Sequence, residues 1–280
     1  TAKQNITTGP GWNPGKLTPA VCSLVGLGGV SLAVPALGPS STFKAEQRLA
    51  SASVHTWQNS TAGALETVTY IHPTLNIVVT NLTWSGAAPT QLNVALWVRD
   101  DGKRLASASR SAEGLLTAFR DASAAGGDDG IRRMRTSLAV RLPAVAVPAS
   151  TQLNGTGSSA AVASSVTLYP NRVLSLVISL ADNLLAGNAH DPTADAVAQA
   201  VDRSPASVAA DAKAWWAAFW GRSAIALPQS PMIEAFWYGS QYATAAMAAS
   251  TEMLAQTRGL LPPPGLYGPW VSTDSPAWNG

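Results

Sequence analysis

The stretch Ile233-Glu-Ala-Phe-Trp-Tyr-Gly-Ser-Gln-Tyr-Ala-Thr-Ala-Ala-Met247 decides how this chain is read. It is followed by Leu261-Pro-Pro-Pro-Gly-Leu-Tyr-Gly-Pro-Trp270 and then Ser275-Pro-Ala-Trp-Asn-Gly280. The first segment has a helical pattern opened by Ser230-Pro231 and reaching roughly Gln256, with Phe236, Trp237, Ala243, Ala246, Met247 and Leu254 on several faces. A helix that is apolar nearly all round is a buried one, so this one needs partners. The segments after it form a loop rich in Pro, Gly and Trp. Exposed indole faces in such loops stack on sugar rings.

Two shorter helices are predicted before it. Asp191-Pro192 and Ser204-Pro205 each pair a capping residue with a proline at the first helical position. The first helix covers Ala194–Val201. The second runs to about Trp220, with Gly221 as its stop, and carries Trp215, Trp216, Phe219 and Trp220, which join the helices to what precedes them.

Residues 1 to about 180 read as strands. Val68–His72, Leu75–Trp84, Gln91–Val98, Thr136–Leu142, Ser165–Tyr169 and Arg172–Leu180 are β-branched or alternating runs separated by Gly, Pro and Asp-Gly signals. No alternation of strand and helix appears, which argues against a parallel sheet and for a large antiparallel sandwich. The apolar stretch Val21–Leu37 is broken by Gly26, Gly28, Gly29 and Pro35, so it reads as two short buried strands rather than a membrane span. Ala124–Gly130 reads as a loop. The expected organisation is a β-supersandwich over 1–190, a helical linker over 191–227, and the start of a second, helical domain over 228–280, truncated at the end of the chain.

Composition narrows the function. Charged residues make up 12% of the chain and the formal net charge is +2, against about 25% charged residues in ordinary domains. The densest basic cluster, Arg132-Arg133 with Arg135, is short and reads as a solvated strand end, so nucleic acid is not an expected partner. His55, His72 and His190, with the single Cys22, offer no metal-ligand spacing. They read as surface or strand-end histidines and a buried thiol. No Gly-x-Ser-x-Gly elbow is present, and no cofactor is expected. Four sequons, at Asn5, Asn59, Asn81 and Asn154, fit N-x-[ST] and fall in predicted loops or strand edges, pointing to a secreted glycoprotein.

The order of Tyr238-Gly239-x-x-Tyr242, the turn Pro262–Pro264, Leu266-x-Gly268-x-Trp270 and Pro276-x-Trp278 resembles the six-hairpin glycosidases, nearest to their α-L-fucosidase and α-galactosidase branch. The segment Ala214–Ser223 is similar to the linker helix of that family. The resemblance implies a β-supersandwich joined by that helix to an (α/α) barrel of six helical hairpins. It also implies a glycoside hydrolase acting by inversion on a glycan, with its catalytic acid and base beyond this chain. The branch carries Asn-Leu-Gln-Gly where this chain has Gly265-Leu266-Tyr267-Gly268, so the resemblance does not extend to fucose specificity. The remainder of the helical barrel is an implied partner.

Within the chain, Trp270 and Trp278 are the candidate sugar-stacking residues. Asp274 is the acid between them. Glu234, in the first turn of its helix, meets the helix dipole. The competing reading is a non-catalytic structural or glycan-binding glycoprotein on the same scaffold.

Overall fold

The computed structural model describes residues 28–99, 105–110, 114–121, 135–142, 159–183 and 191–248. Strands β1 (Gly28–Ala33), β2 (Thr42–Arg48), β3 (Ser53–Ser60), β4 (Gly63–Ile71), β5 (Ile77–Trp84), β6 (Thr90–Arg99), β7 (Leu105–Arg110), β8 (Leu115–Asp121), β9 (Arg135–Arg141), β10 (Ser159–Leu168) and β11 (Val173–Asp182) come first. Helices α1 (Thr193–Asp202), α2 (Pro205–Trp220) and α3 (Pro231–Ala248) follow. The strands form a three-stranded sheet, β1-β6-β10, and an eight-stranded sheet, β2-β3-β4-β5-β11-β9-β8-β7. Their pairings are antiparallel.

Side-chain alternation explains the layers. Along β6, Leu92, Val94, Leu96 and Val98 are all fully buried, while Gln91, Asn93 and Trp97 between them face solvent. Successive side chains on a strand point to opposite faces, so the small sheet has one apolar and one open face. The central strands of the large sheet are apolar on both. On β5, Leu82 and Trp84 enter the core between the sheets, while Ile77 and Val79 enter a second core with the helices. The near-continuous apolar runs of β5 and β11 are what a strand in a middle layer requires.

The helices lie on the far face of the large sheet. Ala196 and Ala200 of α1 are fully buried there, with Val208 and Ala212 of α2. Small side chains let α1 approach closely enough for the Ser179 hydroxyl to donate to the Ala196 carbonyl. Arg141 on β9 reaches the other end of α1, donating to the carbonyls of Val201 at 2.7 Å and Arg203 at 2.9 Å. A cation there satisfies orphan carbonyls and meets the negative end of the helix dipole.

Several expectations change in detail. Ser204 caps α2 as predicted, accepting from the Ser207 amide at 3.0 Å. Asp191 accepts from the Thr193 amide at 2.9 Å, but Pro192 occupies the cap position. Gly221 ends α2 in the right-handed region, φ −67° and ψ −13°, so it is not a left-handed stop; its amide still bonds back to Ala217.

Arg135 is not simply solvated, because its Nε bonds Asp121 at 3.0 Å. Gly28 and Gly29 do not break a strand but begin β1. A Cβ on Gly28 would come within 2.0 Å of the Trp97 carbonyl oxygen, and one on Gly29 within 2.9 Å of the Trp97 ring. β1 is thus a partly exposed edge strand, not a buried one. Cys22, Ala124–Gly130, Arg132, Arg133 and His190 lie outside the described residues.

Asn81 is also corrected. It sits within β5, paired on both sides with Val68 and Ser175, not in a loop or at an edge. The Ser175 hydroxyl donates to its side-chain oxygen at 2.7 Å. α3 departs from expectation too. Its apolar residues were expected to be covered on several faces, yet Met232, Ile233 and Phe236 are 83%, 60% and 77% exposed. Among the described residues, Trp237, Tyr238, Tyr242 and Ala245 are partly or fully covered, with Tyr238 and Tyr242 against the aromatic rings of α2.

Among the described residues no helix is long and apolar enough to cross a membrane.

Candidate functional site

The junction between sheet and helices is where the structure gathers reactive and aromatic side chains. The spacing Trp216-x-x-Phe219-Trp220 places these rings on adjacent helical turns. Trp216 is almost completely buried. Its indole stacks on Trp220 at 5.9 Å and on Tyr242 of α3 at 5.0 Å, and meets Trp215 edge-on at 4.8 Å. Trp220 donates from Nε1 to the Leu49 carbonyl at 3.1 Å, tying α2 to the short turn between β2 and β3. Aromatic pairs at these separations contribute about 0.5–1.5 kcal/mol beyond their burial. The expected role of the cluster in joining the β part to the helical part therefore has a specific mechanical basis.

Tyr238 and Glu234 hold the connection into α3. The Tyr238 hydroxyl donates to the Ile225 carbonyl at 2.9 Å and accepts from its amide at 3.3 Å. Glu234 Oε2 accepts from the Leu227 amide at 2.6 Å. A carboxylate in the first helical turn also suits the helix dipole, so Glu234 is a structural anchor. Its engagement with the backbone of the preceding loop was not readable from spacing.

The sheet contributes Tyr70 and His72. The Tyr70 hydroxyl donates to the Pro205 carbonyl at 2.9 Å, fixing the start of α2. Burial pushes its pKa above the ordinary phenol value, with a smaller opposing effect from a hydrogen bond with Asn81. His72 stands at the end of β4, as the strand-end reading has it, but is buried rather than at the surface. Its Nδ1 accepts from the amides of Thr74 at 3.2 Å and Leu75 at 3.0 Å, which assigns the proton to Nε2. That nitrogen lies 3.5 Å from Asp211 Oδ2 on α2, and Arg203 approaches the same oxygen at 3.9 Å.

Val54, Tyr70, Ile71, His72, Trp216 and Tyr242 are among the residues enclosing a cavity of about 150 Å³. That is about the volume that admits one small ring, and no carboxylate lines it. The arrangement can orient helices rigidly; it does not assemble an acid and a base. Trp270, Asp274 and Trp278 lie outside the described residues, as do Asn5 and Asn154. Asn59 is exposed on β3.

No protein-family model and no curated protein matches this sequence. Solved structures do match its fold. A human-microbiome protein described as a kojibiose phosphorylase aligns with a TM-score of 0.54 and 7% identity, covering 78% of this chain and 31% of that one. A bacterial glucoamylase crystallised with acarbose aligns with a TM-score of 0.48 and 8% identity, covering 78% of this chain and 35% of that one. The first alignment shows a shared fold, and identity this low shows nothing finer. The chain spans about a third of the length of these proteins.

Proposed function

We propose that this chain is the N-terminal portion of a secreted glycoside hydrolase of the six-hairpin class. It supplies the β-supersandwich, the linker helices and the first helix of the (α/α) barrel. The acid and base come from helical hairpins beyond it. The observation that carries this reading is α3. It is strapped to the sandwich through Trp216 and Tyr242, yet presents Met232, Ile233 and Phe236 outward, as the opening helix of a barrel would to its neighbours. The fold shared with a sugar-acting protein three times as long supports the same reading.

Trp270 and Trp278 then form one rim of the sugar site, with Asp274 between them as a polar contact. Inversion requires two carboxyl groups about 6.5–9.5 Å apart, leaving room for a water that one of them activates. The Tyr-Gly-x-x-Tyr and Pro-rich order favours the fucosidase and galactosidase branch. Tyr267, standing at the position of that branch's Gln, favours a sugar other than fucose.

The test is to express the whole natural gene product and assay it against aryl glycosides and natural oligosaccharides, following the first-formed anomer by proton NMR. Release of the inverted anomer, with KM raised in Trp270→Ala and Trp278→Ala, is expected. A folded product that cleaves nothing would favour the non-catalytic glycan-binding reading. Cleavage only in the presence of inorganic phosphate would reassign the reaction from hydrolysis to phosphorolysis.

A further inference from the structure

The face of the three-stranded sheet turned away from the large sheet combines one indole with small, amide and hydroxyl side chains. In register across β1, β6 and β10 lie the rows Gly29–Trp97–Ala161, Ser31–Ala95–Ala163 and Ala33–Asn93–Ser165, with Gln91 opposite Thr167. No charged residue occurs in these rows; Arg99 follows in the next one, opposite Ser159. About 20 Å of strand separates Trp97 from Gln91, at about 3.4 Å per residue.

Trp97 is laid down on this face. Gly29 leaves the space that its indole occupies, since a Cβ there would sit 2.9 Å from the ring. Its Nε1 donates to the Ser31 hydroxyl at 3.2 Å. The ring is thus held on both its edge and its underside while 38% of the residue stays exposed. Part of this is structural, because an aromatic lying over an edge-strand glycine restores packing that the glycine lacks.

That packing does not require the amide and hydroxyl ladder beside it. Ser165 donates to Asn93 Oδ1 at 2.8 Å, and Gln91 Nε2 donates to Thr167 at 3.2 Å. These bonds leave the Asn93 amide NH₂, the Gln91 carbonyl oxygen and the Ser31 hydroxyl proton uncommitted, and they fix the orientation of the groups that carry them. Past Thr167 the strand opens into a groove of about 520 Å³, lined by Thr167, Tyr169, Arg172 and Val173 among others. Tyr169 is 44% exposed, and the Arg172 guanidinium lies 5.7 Å from its ring.

We propose that this face binds a neutral, linear polysaccharide. A flat indole offers the stacking surface that a sugar ring's C–H face takes, and the fixed amides and hydroxyls match a ligand made of hydroxyl groups. Between Trp97 and Tyr169 the rows carry no charge, with Arg99 standing in the next row beyond Trp97 and Arg172 at Tyr169, and the neutral stretch between them offers phosphates or carboxylates no cation. The small Ala and Ser side chains disfavour a protein partner, whose interface would centre on a larger apolar cluster. The groove at Tyr169 extends the path beyond the sheet, long enough for several sugar units.

The test is isothermal titration of the chain with amylose, mixed-linkage β-glucan and galactomannan. It reads binding without turnover, so its failure is separate from failure of the hydrolase assay. At least one polymer is expected to bind, with Trp97→Ala weakening it about tenfold and Asn93→Ala and Tyr169→Ala each by a few-fold. Binding of none of the three overturns the proposal, and so does full retention by folded Trp97→Ala. Should Trp97→Ala fail to fold, the exposed pair Asn93→Ala and Gln91→Ala decides: unchanged binding in that double variant overturns the proposal, and a loss with the circular dichroism melt intact supports it.

Discussion

The Trp216 indole lies over the Tyr242 ring, centroids 5.0 Å apart and planes 24° from parallel. Trp216 belongs to the helix seated on the sheet, and Tyr242 to the next helix, so this contact couples the two. Truncating a buried tryptophan costs about 3–5 kcal/mol. Trp216→Ala is therefore expected to lose about that much in urea unfolding and to expose the 221–230 loop to protease. A variant as stable and as resistant as the parent would mean that the stack joins nothing.

Gly239 stands in α3, and among the described residues no atom beyond its chain neighbours and the backbone of its own helical turns lies within 4 Å of where its Cβ would be. Glycine inside a helix costs about 1 kcal/mol relative to alanine. In this chain Gly239→Ala should raise stability by up to about that amount. In the whole gene product the same change should be destabilising if a further helix packs closely there. Equal gains in both contexts would show that no neighbour approaches Gly239.

Tyr70 sets an alkaline limit. Its phenol pKa is raised in the folded state from the ordinary value of 10.0, so the native form holds the proton more tightly than the unfolded chain. The associated stability is fully present below pH 10.0 and declines as pH rises through the higher folded value. Tyr70→Phe should lose about 1 kcal/mol at neutral pH with the bond to Pro205, and should show a shallower decline above pH 10.0. Denaturant midpoints measured from pH 8 to 11 check this; parallel curves would refute it.

Asn59 and Asn81 carry the same kind of sequon in different settings. Both lie within strands paired on either side, but Asn59 is exposed, whereas Asn81 is half-buried and bonded to Ser175. Expressed through a secretory pathway, the chain should carry a glycan on Asn59 and none on Asn81. Glycopeptide mass spectrometry of the parent and of Asn59→Gln distinguishes them. Full occupancy at Asn81 would contradict the burial argument.

Much of the architecture was written locally. The alternation Leu92-Asn-Val-Ala-Leu-Trp-Val98 specifies a strand with one buried face, and Ser204-Pro205 specifies a helix start, because both depend on neighbours within a few residues. β2 and β3 went unread. Thr42–Arg48 is mostly polar, and Ser53–Ser60 has only Val54 and Trp57 among polar residues, so neither shows the apolar alternation that marks a strand. Asn81 was misplaced for the opposite reason: a polar residue inside an apolar run resembles an edge until the partner that satisfies it, Ser175, is known.

The sequence by itself determined a β-rich body followed by three helices and the aromatic cluster between them, since periodicity, capping and composition act over short range. Only the tertiary structure decided that His72 is buried against Asp211, that Glu234 anchors the preceding loop, that Trp97 lies flat across Gly29, and that α3 shows its apolar side to solvent. Each of those depends on which distant segments meet, and burial and hydrogen-bond partners across such contacts are set by the packing of whole layers rather than by the order of residues along the chain.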